Sequence, residues 1–113
     1  MDQKKLRQAE KIEITVLVDN YSDVLLPDAP MVKRMRVAPP QAPLAEHGLA
    51  CLISAYSGSE RHTILMDAGI SGTCLQHNAS LLNNSMGAKR KEIRHRLDQV
   101  EAVVLSHGHF DHC

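Results

Sequence analysis

The residue types best suited to chemistry lie together near residue 110. His107-Gly108-His109-Phe110-Asp111-His112 places four metal-ligand side chains within six positions. In an extended segment the side chains at i and i+2 share one side, so His107 and His109 can converge on one ion. Gly108 between them permits a close backbone approach. A turn after Phe110 can aim Asp111 and His112 at a second ion. Imidazole nitrogen with carboxylate oxygen suits zinc, manganese or iron. Two such ions about 3.5–4 Å apart hold a bridging hydroxide as nucleophile and clamp the reacting oxygens. A lone histidine is more often a surface residue, and the interleaved Gly, Phe and Asp distinguish this run from a poly-histidine tag.

Such a loop needs a scaffold, and the rest of the chain predicts one. Residues 1–11 are polar and charged. Ile12, Ile14, Val16 and Val18 alternate with Glu13, Thr15 and Leu17, which predicts a strand over 12–18 ending at Asp19-Asn20. All five prolines fall in 20–43, which predicts a long Pro-rich loop, because proline removes amide donors and biases its predecessor to extended backbone. Leu49 to Ala55 and Thr63 to Met66 predict a hairpin turning at Gly58-Ser59-Glu60. Ser71-Gly72-Thr73 opens a helix with Leu75, Ala79 and Leu82 on one face, and Asn83 to Gly87 is expected to stop it. Lys89 to Arg96 is basic. A strand over Val100 to Leu105 then runs into the histidine loop at 107–112. Sheet plus covering helix is an α/β layout.

Composition narrows the field. The chain has 113 residues, one domain at most, and 13 Lys+Arg against 13 Asp+Glu cancel. Zero net charge gives no broad electrostatic footprint for nucleic acid or an anionic membrane. Tyr21, Tyr56 and Phe110 are the only aromatics, so a row of base-stacking rings is excluded and the core must be aliphatic. Cys51, Cys74 and Cys113 lack Cys-x-x-Cys spacing, which speaks for free thiols in a reducing compartment. No signal peptide and no run of ~20 apolar residues is present, so the expectation is a cytoplasmic protein with no membrane span.

The run Leu105-Ser106-His107-Gly108-His109-Phe110-Asp111-His112 resembles the signature loop of the metallo-β-lactamase-fold superfamily. Val16-Leu17-Val18-Asp19-Asn20-Tyr21, Ala45-Glu46-His47-Gly48-Leu49, Ile64-Leu65-Met66-Asp67-Ala68-Gly69 and Leu75-Gln76-His77-Asn78-Ala79 resemble the branch related to archaeal dihydropterin synthase-like enzymes. These segments follow the family's order and span most of 12–112. The resemblance implies the N-terminal half of an αββα sandwich, a mixed sheet with a helix on one face. It implies that His107 and His109 bind a first metal, and that Asp111 and His112 bind a second. The family's further ligands lie downstream, so the chain reads as an N-terminal fragment of a single domain, 1–113, whose missing partner is its own C-terminal half.

The resemblance also weights other residues. Asp67, at a strand end, is expected to cap a turn or to hold a motif histidine in one tautomer, and with Asp111 it is the candidate catalytic carboxylate. Asn20, Glu46 and His47 are expected to border the active site. His62, His77 and His95 read as turn, helix surface and charged segment, and Cys51 and Cys74 as core and helix face. Lys33, Arg34 and Arg36 would attract a phosphorylated small molecule if the Pro-rich loop overhangs the site. The expected activity is metal-dependent hydrolysis of an ester or phosphoester through a metal-bridging hydroxide, with two divalent ions, zinc first and manganese or iron as alternatives. A dihydropterin synthase-like transfer that releases pyrophosphate is the second enzymatic reading. An inactive remnant with an incomplete metal site is the non-enzymatic one.

Overall fold

The computed structural model describes residues 7–23, 25–34, 40–85 and 97–108, with the side chains of 83–85 set aside. Among the described residues the named elements follow in chain order: β1 Lys11–Val18, β2 Ala50–Ser57, β3 Glu60–Met66, α1 Gly72–Ser85 and β4 Ala102–Val104. The sheet order is β1-β2-β3-β4, with β1 and β3 antiparallel to β2 and β4 parallel to β3. This is the expected α/β class, a mixed sheet with a helix against it. Among the described residues no helix is long and apolar enough to cross a membrane.

The hairpin is longer than the sequence pattern predicts. Pairing runs out to Ser57↔Glu60, so Glu60 belongs to β3 and the loop is Gly58-Ser59 alone. Gly58 has φ 58°, the left-handed conformation that tight two-residue hairpins assign to glycine. His62, expected in a turn, therefore lies within β3, paired with Ala55. The helix also outlasts its expected stop and continues through Asn83 and Asn84 to Ser85, since each asparagine costs at most about 0.7 kcal/mol of helix propensity against alanine.

A bulge sets the core. Val16 pairs with Cys51 but Val18 pairs with Ala50, so β1 carries one residue more than β2 there. The local kink lets the consecutive Leu17 and Val18 both be buried, where strict alternation would expose one. Leu17 packs with Leu52, Ala79 and Leu82, while Val18 packs with Ala50, Leu65 and Cys74, and Leu75 and Val100 touch both groups. The helix positions predicted to face inward do so, joined by Cys74. The same face buries Ser54 and Thr63, whose hydroxyls satisfy each other at 2.9 Å.

The other face of the sheet is apolar and open. Register aligns Ile14, Ile53, Ile64 and Ala102 in one row and Val16, Cys51, Met66 and Val104 in the next. Ile12, Ile14 and Val16 are all more than half exposed. Cys51, expected in the core, belongs to this face and is half-buried.

Asn78 ties the helix to the segment after the Pro-rich loop. It is buried, its amide nitrogen donates to the carbonyls of Leu17 at 2.7 Å and Leu44 at 2.9 Å, and its oxygen accepts the Leu44 amide. His77 bonds the Ala42 carbonyl at 2.9 Å, so it is a tether and not only helix surface. Within the Pro-rich loop, Ala29 and Val32 form a small two-residue bridge, and the Asp28 carboxylate accepts the Arg34 amide.

The short strand β4 is held at its start by side chains of β3. Arg61 bonds Gln99, and His62 Nδ1 lies 2.9 Å from one Glu101 oxygen, with Glu60 3.5 Å from Nε2. The Glu101 contact first and the Glu60 contact after it push the His62 pKa above its ordinary 6.5. A raised histidine pKa means that the contact stabilises fully below pH about 6.5 and fades as pH climbs through the folded-state value. The difference in melting temperature between wild type and His62→Gln should therefore shrink from pH 6 to pH 9. A constant difference across that range would show that the ion pair contributes nothing.

Candidate functional site

Because β1, β3 and β4 run the same way, their carboxyl ends lie at one end of the sheet, the usual place for a site in an open α/β fold. Three segments named by the sequence meet this end: Asp19-Asn20 after β1, Asp67 after β3, and Ser106-His107 after β4. Parallel pairing of β3 with β4 is what brings Asp67 beside Ser106, thirty-nine positions away.

Asp67 is fully buried and has φ 59°. Left-handed backbone is tolerated by aspartate better than by most residues, but such a site still costs on the order of 1 kcal/mol and persists only where its surroundings enforce it. Here they do. The Asp67 amide donates to the Val104 carbonyl at 2.9 Å. One carboxylate oxygen accepts the Ser106 amide and the other accepts the Ser106 hydroxyl, both at 2.7 Å. The Asp67 carboxylate thus anchors the first residue of the loop after β4.

The chain of contacts continues to the first motif histidine. Ser106 Oγ lies 2.9 Å from His107 Nδ1. A serine hydroxyl has one proton to give. Once it is given to Asp67, Oγ must accept at His107, which requires the Nδ1–H tautomer and places the ring's lone pair on Nε2. That is the form in which imidazole binds a metal, with its other nitrogen fixed by a hydrogen bond. Asp67 therefore reaches His107 through Ser106. The role of Ser106 was missed, though a serine between an apolar strand and the first histidine was the available signal.

Glu46 does not open β2, which begins at Ala50. Its carboxylate accepts the amides of Ile70 and Ser71, each at 3.1 Å, and the Ser71 hydroxyl at 2.7 Å. Ser71 in turn caps α1 through the Cys74 amide at 3.4 Å. Burial pushes the Glu46 pKa up, but the Ser71 hydroxyl and the Ser71 and Ile70 amides together outweigh it, and the net value is lowered. His47 and Asn20 are exposed, and the Asn20 amide donates to the Asp19 carboxylate at 2.8 Å. Burial, then the charges of Asp67 and Asp19, push the Cys51 thiol pKa up. Cys74, expected on the helix face, is buried.

His109, Asp111 and His112 lie outside the described residues, as do Arg36, His95 and Cys113. Among the described residues no group of three or more His, Cys, Asp or Glu side chains could hold a metal ion. The chain matches no protein-family model and no curated protein.

Proposed function

We propose that this chain carries the first half of a dinuclear metal site of the metallo-β-lactamase type, serving metal-dependent hydrolysis of an ester or phosphoester. The observation that carries the reading is the Asp67–Ser106–His107 chain of hydrogen bonds, which orients His107 with Nε2 as the ligating nitrogen. It begins at a buried carboxylate, and burying a charge for no purpose is costly. His107 and His109 would hold one divalent ion, and Asp111 and His112 a second, zinc or alternatively manganese or iron. When bound, these ions supply Lewis-acid activation of water and stabilise charge on the substrate oxygen. The residues of this chain fix the donors: Asp67 anchors Ser106, Ser106 sets the His107 tautomer, and β4 delivers both.

The open apolar face supports the sandwich reading. An exposed aliphatic sheet surface of this extent is unusual for a finished monomer. The second sheet of an αββα sandwich would cover Ile14, Ile53, Ile64 and Met66. A small-molecule substrate, phosphorylated if Lys33 and Arg34 overhang the site, fits a cytoplasmic enzyme of this type. A pterin-linked transfer with loss of pyrophosphate would use the same donors.

The protein loaded with zinc should approach two ions per chain by elemental analysis. His109→Ala should lower that number, and unchanged loading would refute the ligand assignment. Turnover of a phosphodiester, lactone or thioester, against a pterin pyrophosphate, separates hydrolysis from transfer.

A further inference from the structure

The turn that carries Asp67 is gripped from two sides. On one side, β4 and Ser106 bond Asp67 itself. On the other, the Glu46 carboxylate bonds Ile70 and Ser71 and lies close against Gly69. Gly69 has φ 76° and its amide donates to the Leu49 carbonyl at 2.9 Å. A Cβ at Gly69 would stand 2.7 Å from Glu46 Oε1 and 3.2 Å from a Val18 methyl, so this glycine is required by the approach of the carboxylate as well as by its backbone angle. Glu46 is itself placed by its own amide, which donates to the Asp19 carbonyl at 3.1 Å. One residue thus links the end of β1, through its amide, to the turn between β3 and α1, through its carboxylate.

Asp67 and Gly69, two positions apart, both have positive φ; glycine adopts it freely, but at Asp67 such backbone persists only when neighbouring structure over-determines it. Without Glu46 the exposed amides of Ile70 and Ser71 would be left to solvent, which fixes no geometry for the turn before α1. A carboxylate there fixes where the turn ends, while Asp67 fixes where it meets β4.

We infer that Glu46 is a positioning residue for His107, acting by clamping residues 69–71 so that Asp67 stays aligned with Ser106. This rests on the reading that His107 is a metal ligand, but it makes a claim about the metal-free ring that stands or falls separately. It differs from a plain helix cap, which would stabilise α1 without affecting an imidazole beyond β4.

The test is long-range proton–nitrogen NMR of the His107 ring in the metal-free chain, followed by zinc titration by calorimetry. Wild type should show a single Nδ1–H tautomer. Glu46→Ala should shift the ring toward a mixture of tautomers and weaken zinc binding at least about tenfold, the scale expected when the support of a ligand is lost. Glu46→Gln, which keeps an oxygen for the two amides, should restore most of both. Ser71→Ala should loosen the start of α1 while leaving the ring signals in place. Should the alanine variant not fold, Glu46→Asp, which retracts the carboxylate by one methylene, takes its place and should show the same shift in part. Wild-type ring signals in Glu46→Ala or Glu46→Asp would overturn the inference and leave a helix cap. Absence of zinc binding in wild type would instead refute the ligand reading, with the ring signals still deciding the role of Glu46.

Discussion

Asp67→Asn should weaken zinc binding by about 10–100-fold, the usual consequence of removing the partner that orients a ligand. The amide keeps the size of aspartate and its tolerance of left-handed backbone, so the turn after β3 should survive. Ser106 presents two donors to Asp67, one from its amide and one from its hydroxyl, each at 2.7 Å. An asparagine has one acceptor oxygen and would set a second donor against one of them. The hydroxyl can rotate away and the amide cannot, so the serine contact should yield and free His107 to take either tautomer. Asp67→Ala should go further and cost about 2–4 kcal/mol of stability, since hydrogen bonds to a charged group contribute about 1.5–3 kcal/mol each and relief of the buried charge returns part of that. Urea denaturation and zinc calorimetry on the two variants measure both effects. Zinc affinity at the wild-type level in Asp67→Asn would mean that the relay does not support a ligand.

The second large effect is expected at Asn78. Replacement by leucine keeps the volume but removes every partner the amide supplies. The Leu17 carbonyl and the Leu44 amide then lose these hydrogen bonds, and the Leu44 carbonyl keeps only the weak Cys74 thiol donor. A buried unpaired group costs about 1–3 kcal/mol, and Leu44 is exposed enough for water to replace some of the loss, so the expected total is about 2–4 kcal/mol. The urea midpoint should fall accordingly, and the Leu44 amide should exchange faster than in wild type while the strand β3 amides change little. An unchanged midpoint would show that water satisfies all three groups and that Asn78 is dispensable.

The expected strands, the helix and the hairpin could be read from one-dimensional signals. Alternation of Ile12, Ile14 and Val16 is a statement about period two, and Leu75, Ala79 and Leu82 about the helical period. Boundaries were less legible. Glu60 and His62 are polar residues in a strand because cross-strand pairing extends the ladder past the apolar run, and nothing in their own types announces that. The β1 bulge was hidden for a similar reason. Val18 looks like the next member of the Ile12-Ile14-Val16 row until the unequal pairing with Cys51 and Ala50 turns it to the helix side beside Leu17.

The site divides along the same line. Residue type and spacing nominated His107, as one of four ligand-type side chains within six positions, whereas Asp67, which type alone reads as a turn cap, was weighted by the family resemblance. Their connection through Ser106 depends on β3 and β4 lying side by side in parallel, a long-range choice that no local pattern encodes. Glu46 was flagged as a neighbour of the site, but its carboxylate faces the start of α1 because the segment after the Pro-rich loop is pinned by Asn78 and His77. Local periodicity and chemical type therefore determined which pieces exist and which side chains can react. Contacts between residues tens of positions apart decided which atoms meet, because the hydrogen-bond geometry at Asp67 forms only after the backbone segments on either side have been packed into place.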